Sequence, residues 1–329
     1  MDKQIVISLK TILLTLLVFL GIFILYRLGP IIGIIFLSVL VVICMEQPIR
    51  YFMKMVLFNK KISRGVAVAI SYFLLVLVLI TVVTFIVPPL VTEVQKMIVN
   101  LPSIISGIKI PEEWQMSVTD MIPETSKISS GVVNATFSIF SNVATFVSIL
   151  VISIYMSLDW DNIKKGFVAI FPKKIEDTVE ETISEIEKNV GAWIRGELFL
   201  MLIIGIGSLI GLSILGVKYA VGLGLLAGLF EAIPNVGPVL SAIVAGIIGF
   251  TDSPIKGVGV IALFIVIQQL ENNLIVPKIM GKVSGFRPLV VLLILLIGAN
   301  LFGIAGAVCA IPVTMMLSII LKKFLVTED

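Results

Sequence analysis

Histidine is absent from the 329 residues, which removes imidazole from any proton relay or metal site. Charged side chains make up only 14%, against about 25% in an ordinary soluble domain. The two cysteines, Cys44 and Cys309, stand in apolar segments; they show no metal spacing and imply no disulfide framework. No G-x-x-x-x-G-K-S/T phosphate loop occurs, and no polar block is large enough for an ATPase domain. No Ser-His-Asp set, metal cluster or pair of carboxylates points to catalysis. The expectation is a protein that is not an enzyme and carries neither cofactor nor metal. The net charge of +3 is small and spread among loops, whereas nucleic-acid binding needs a clustered basic face.

What is present is oil. Hydrophobic residues make up 58% and the mean hydropathy is +1.16, values that predict an all-α, polytopic helical membrane protein. Lys3 and Lys10 before the first apolar run resemble a signal peptide, but no small-residue cleavage site follows, so a retained first span is expected. Apolar segments are predicted over 11–26, 31–45, 65–87, 132–158 and 198–215, with a tight turn at Arg27-Leu-Gly-Pro30. The block 88–131 is polar and amphipathic. From Lys173 a second amphipathic helix is predicted, with Ile175, Val179, Ile183, Ile186, Val190 and Trp193 stepping by 3 or 4. Gly207-x-x-x-Gly211 and Gly224-x-x-x-Gly228 permit close helix approach.

The C-terminal half carries two interrupted apolar runs. Ala220 to Phe250 is broken at its centre by Glu231-Ala-Ile-Pro-Asn-Val-Gly-Pro238. Proline removes a backbone donor and clashes with the preceding turn. Such a break survives in hydrocarbon only where protein or water surrounds it. Leu289 to Leu321 is broken at Gly298-Ala-Asn300 and again at Ile311-Pro312. The loop 46–64 holds Arg50, Lys54, Lys60, Lys61 and Arg64 against one acid, so it is expected on the cytoplasmic side. Counting segments from there places both termini, the 159–195 block and Lys322–Lys323 inside. If 220–250 crossed once, Lys278, Lys282 and Arg287 would face outside; a hairpin turning at Pro234 to Pro238, with Lys218 and Asp252 on the same, outer side, leaves them inside and is the preferred topology. A second hairpin over 289–321 follows.

Polar groups inside these runs are the candidate site. Glu231 is a carboxylate at a depth where ionisable residues are costly and mark function; it could exchange a proton for a cation, or be a fixed charge paired with a base. Pro234, Asn235, Gly237 and Pro238 form the expected hairpin tip, either contacting a polar solute or ion, or simply turning the chain. Gln268, Glu271 and Asn272 are spaced 3 and 4 and so share a helix face, lining a pathway or hydrogen-bonding to neighbouring helices. Asn300 and Pro312 mark irregular backbone in the second hairpin. Arg195 and Glu197 flank the entry to the 198–215 segment, as a charge pair or interfacial anchor.

Several motifs occur in order: Ile194-Arg195-Gly196, Leu225-Leu-Ala-Gly-Leu229, Ile233-Pro-Asn-Val-Gly-Pro238, Gln268-Gln-Leu-Glu-Asn-Asn273, Val276-Pro-Lys-Ile-Met-Gly281 and Phe302-Gly-Ile-Ala-Gly306. Together they resemble the autoinducer-2 exporter family of bacterial and archaeal membrane proteins, strongly from Arg195 to Leu321 and in layout before that. The resemblance implies a multi-pass plasma-membrane protein, a homo-oligomer and specifically a pentamer, working as an elevator-type transporter in which hairpins carry substrate. It also implies a cargo that is either autoinducer-2 or sodium or lithium exchanged for protons, and it does not choose between them. Many relatives have an uncharged residue where this chain has Glu231. The organisation expected is a transmembrane scaffold over 1–158 with an extracellular amphipathic segment over 88–131. A cytoplasmic amphipathic helix over 159–196 follows, then a transport unit over 197–329 containing hairpins 220–250 and 289–321. The leading expectation is a secondary transporter exporting a small polar molecule. The rivals are a sodium or lithium/proton antiporter and a non-transporting oligomeric scaffold.

Overall fold

A computed structural model describes residues 9–57, 60–86, 143–280 and 286–325, with isolated positions between 88 and 96. Helix α1, Leu9–Lys54, is followed by a small antiparallel ribbon of β1, Val56–Leu57, and β2, Lys60–Lys61. Helix α2, Arg64–Thr81, ends in a π turn at Val82–Ile86. The outer amphipathic segment expected over 88–131 lies outside the described residues apart from a few positions. The chain resumes with α3, Val143–Leu158, and α4, Trp160–Val168. Helix α5 is Glu176–Ile214, α6 is Ala220–Phe230, α7 is Val236–Asp252 and α8 is Pro254–Leu270. A π turn at Glu271–Ile275 leads into the short α9, Val276–Ile279, and the bundle closes with α10, Pro288–Leu325.

Among the described residues, five helices are long and apolar enough to cross a membrane, or six if the bent pair α3–α4 counts as one. Their outer faces stay apolar: Phe73, Leu77, Tyr155, Phe199, Leu202 and Ile265 are all exposed, as expected of surfaces solvated by lipid.

The turn predicted at Arg27 to Pro30 is not there. The first two apolar segments form one 46-residue helix, about 69 Å long at 1.5 Å per residue. The helix continues through Pro30 as it does through Pro48, because in an apolar surrounding the backbone groups on either side of a proline are best satisfied within the helix. The segment count that put the N-terminus on the cytoplasmic side depended on this turn and goes with it. The amphipathic helix and the 198–215 segment likewise fuse into the single 39-residue α5. Its stripe faces inward, with Val179, Val190 and Trp193 buried.

Polar ends gather at one end of the bundle. Glu46 on α1 accepts from Arg50 at 2.9 Å and from Arg64 of α2 at 2.9 Å. Arg64 also bonds the Ser157 carbonyl and reaches Asp161 of α4. Glu187 of α5 takes Arg50, Lys164 and the Trp160 indole N–H. Lys323 of α10 meets Glu181 of α5. The loop 46–64, the 159–195 block and the end of α10 therefore share one side, as the basic-residue count requires.

At the opposite end, Lys218 pairs with Asp252 at 3.1 Å. Lys218 precedes α6 and Asp252 ends α7, so the chain enters and leaves this pair at the same end. The run 220–250 is two helices, α6 and α7, that double back on each other. Close backbone approach fastens it to α5: a Cβ at Gly228 would lie 2.6 Å from the Met201 carbonyl and 3.0 Å from Gly205 Cα. Residues 204–267 share one apolar core, with Ile204, Leu212, Leu223, Ala245 and Val260 at its centre. A separate core joins α1, α2 and α3 around Ile49, Val68 and Tyr72.

The second interrupted run also breaks, but elsewhere than expected. Non-helical backbone falls at Phe302 and Gly303, where Gly303 has φ 62. Asn300 and Pro312 both lie in helix on either side of it. Glycine is the residue that takes this left-handed conformation without steric cost, which the Gly298-Ala-Asn300 and Ile311-Pro312 readings overlooked.

Candidate functional site

The tip of the first hairpin is built by five residues, Glu231 to Asn235, between α6 and α7. Asn235 has φ 64, a left-handed conformation that asparagine tolerates better than most side chains. Two residues on, Gly237 in the first turn of α7 sits hard against α6: an added Cβ would lie 1.9 Å from the Phe230 carbonyl oxygen. Only glycine fits. Gly237 and Pro238 are buried in the first turn of α7, Pro234 is half-buried, and Asn235 is exposed. The tip is therefore one turn earlier than the predicted Pro234 to Pro238.

Glu231 is the residue that this geometry buries most, at 1% exposure, and its Oε2 has no hydrogen-bond partner. Antiparallel packing of α6 on α5 carries it toward Glu197, which is 7% exposed with Oε1 unpartnered. Glu271 arrives from the end of α8, 6% exposed, accepting from the Gln268 amide at 3.3 Å. The charge of Glu271 acts on both other carboxylates, and that of Glu197 on Glu231. Three elements thus deliver three buried acids to one neighbourhood, and none forms an ion pair among the described residues. No group of three such side chains converges tightly enough to hold a metal ion among the described residues. The set is an electrostatic group of like charges.

Glu46 supplies the contrast. It is equally buried at 1%, yet two arginines satisfy it. Breaking the Glu46 pairs would leave buried charge uncompensated; Glu231 already stands in that condition. The residue that sequence reasoning undervalued is Glu197, read as an anchor with Arg195. Periodicity could have found it, because Glu197 shares the buried stripe of Trp193, Leu200, Ile204 and Ser208. Arg195 does not pair with it and donates instead to the Cys44 carbonyl at 2.9 Å.

The shared face expected for Gln268, Glu271 and Asn272 is split. The backbone widens to a π turn at Glu271–Ile275, just before Pro277, whose ring would strike the carbonyl four residues back in a regular helix. That turn keeps Glu271 inside with Gln268 and leaves Asn272 exposed. Asn273 bonds back to Gln269. Asn300 is exposed as well. Of the nominated residues, Glu231, Glu271 and Gln268 come together, with Pro234, Gly237 and Pro238 framing the tip; Asn235, Asn272 and Asn300 are exposed.

Apolar helices long enough to cross a membrane, a broken helical pair and buried acids without counter-charge are the pattern of a membrane transport protein. Comparison with known proteins gives the family. The chain belongs to the AI-2E family of transporters, whose pattern matches residues 13–325. It is 29% identical over 280 residues to YueF of Bacillus subtilis, covering 78% of this chain and 76% of that one. A Thermotoga maritima protein is 25% identical over 316 residues, covering 92% and 91%. Both are named, provisionally, as transport proteins, and neither name gives a substrate.

Proposed function

We propose that this protein is a secondary transporter that exports a small polar solute of the autoinducer-2 type, driven by a proton or monovalent cation carried at Glu231 with Glu197 and Glu271. The observation that carries the reading is the buried trio without counter-charge. A carrier couples two fluxes when loading one site changes the energy of moving the other. Carboxylates whose charge only a mobile cation can satisfy provide that link. Residues 197–329 are taken as the moving unit in an elevator-type cycle, with 1–158 as scaffold. Each part has a core of its own, and a third core, Leu40, Val42 and Ile43 with Leu200, Val291 and Met315, is the contact along which they would have to slide.

The same reading takes the chain to lie in the plasma membrane, with the loop 46–64 and Lys322–Lys323 cytoplasmic. It takes the protein to be a homo-oligomer, a pentamer by family resemblance. The all-round apolar surface of α1 from Leu13 to Ile24 favours contact with lipid or another copy. One observation favours a second reading, sodium or lithium exchanged directly for protons: a neutral solute needs no surplus of negative charge, whereas a cation does.

The test is proton flux in proteoliposomes. Sodium or lithium is added outside and internal pH is followed for wild type, Glu231→Gln and Glu197→Gln. Cation-dependent proton movement lost in both variants supports exchange at this site. Proton movement that appears only with a solute gradient supports coupled export. Folded, oriented protein that moves no protons under either condition overturns the coupling role.

A further inference from the structure

Two cavities adjoin at the polar end of the bundle, away from the carboxylate trio. The larger, about 580 Å³, lies between α1, α4, α5 and the last turns of α10. Ile43, Phe167, Phe171, Met316 and Phe324 are among its walls, and its accessible surface is entirely apolar. The smaller, about 370 Å³, is walled by α4 and α5 and carries Asp161, Lys165, Glu176 and Glu180. Lys164 and Ile183 line both. Lys164 is engaged by Glu187 and Asp161, but Lys165, Glu176 and Glu180 have no ion pair among the described residues.

Position narrows the occupant. Helix α4 bends 76° from the apolar α3 and turns Trp160, Ile163 and Phe167 toward the groove, the disposition of an amphipathic helix lying along a bilayer edge. The most concentrated apolar solute there is a lipid tail. A peptide would bring backbone N–H and C=O groups into a groove whose few polar lining residues are already engaged, Lys164 with Glu187 and Thr182 with the Thr178 carbonyl. An acyl chain brings none. The groove itself cannot select one lipid over another, because bilayer tails are as apolar as its walls. Selection falls to the adjoining cleft, which offers one free cation and two free anions. That is the complement of a headgroup with both a phosphate and a hydrogen-bonding ammonium.

We propose that groove and cleft together hold one phosphatidylethanolamine molecule per chain. One acyl chain lies in the groove, the phosphate meets Lys165, and the ammonium meets Glu176 and Glu180. This inference rests on the membrane fold and not on the transport reading. Phosphatidylcholine has the same charges but no N–H to donate, and phosphatidylglycerol has no cation.

The experiment is native mass spectrometry of delipidated, detergent-purified protein given equal amounts of the three lipids with identical acyl chains. The expected result is one retained phosphatidylethanolamine per chain, preferred over each competitor on the order of tenfold. Glu176→Gln with Glu180→Gln should bring it down to the phosphatidylcholine level without changing phosphatidylcholine retention. Lys165→Gln should weaken both. Ile183→Trp, filling the shared wall, should reduce all three lipids. Equal retention by wild type, a preference for phosphatidylglycerol, or a preference that survives the double substitution overturns the proposal. So does a lipid-free dimer whose interface covers the groove.

Discussion

Replacing Glu231 by glutamine should stabilise this protein, while the same replacement at Glu46 should destabilise it. The two side chains are equally buried at 1%, so burial alone predicts no difference. Glu46 holds Arg64 at 2.9 Å and Arg50 at 2.9 Å. Breaking a buried pair costs about 3–5 kcal/mol. Arg64 is 18% exposed and retains Asp161, so the Glu46→Gln loss should be nearer ~2–3 kcal/mol. Glu231 has no partner for Oε2 and two acids acting on it. An unsatisfied buried polar group costs about 1–3 kcal/mol, more when charged. Glutamine removes the repulsion but still buries an amide, so a gain of roughly 1 kcal/mol is expected. The assay is thermal unfolding in detergent, followed by the fluorescence of the buried Trp160 and Trp193. Transport should fall in Glu231→Gln as stability rises, the exchange expected when a strained group serves function. A Glu231→Gln protein as destabilised as Glu46→Gln would refute the argument, because it would make Glu231 a paired structural acid.

The remaining predictions use other parts of the fold. Gly237→Ala puts a Cβ 1.9 Å from the Phe230 carbonyl and should cost about 3 kcal/mol. Gly207→Ala, with nothing within 4 Å, should be neutral or gain up to ~1 kcal/mol; equal melting temperatures for the two would contradict the packed tip. At the other end, Asp252 sits outside the candidate spans. Burial opposes its ionisation, but the Lys218 N–H, the Lys218 ammonium and Lys256 hold its carboxyl below the ordinary carboxylate range. Its stabilising effect is therefore complete above the unfolded value of about 3.9 and is lost as pH falls through the lower native value. Asp252→Asn should lower the melting temperature at pH 7, with the difference from wild type shrinking only in strong acid. Pro277→Ala should relax the π turn at Glu271–Ile275 toward α geometry and rotate Glu271 out of the trio. Reduced transport at near-wild-type stability is expected, and an unchanged transport rate would separate the turn from function.

Much of this architecture was legible along the chain. Scarce charge and long apolar runs required helices in lipid, since only helices or closed barrels satisfy the backbone there. The prolines at 234 and 238 announced a break, and the basic residues of the 46–64 loop announced a polar end that the Glu46, Arg64 and Glu187 contacts bear out. Where the reading failed, a proline or glycine was weighed by type alone: α1 runs through Pro30 and Pro48 alike, and Gly303 moved the second break away from Asn300. Likewise, Pro277 turned Glu271 inward and Asn272 out through the π turn, a register shift that spacing by 3 and 4 cannot express.

Sequence alone determined that Glu231 would be costly, because its neighbours are apolar and its segment is broken. Tertiary structure decided that it has company. Glu197, Glu231 and Glu271 are separated by 34 and 40 residues, and only the antiparallel packing of α6 on α5, with α8 beside them, brings them to one place. The cost of burying an acid depends on what surrounds it. For Glu46 that is two arginines; for Glu231 it is two more carboxylates.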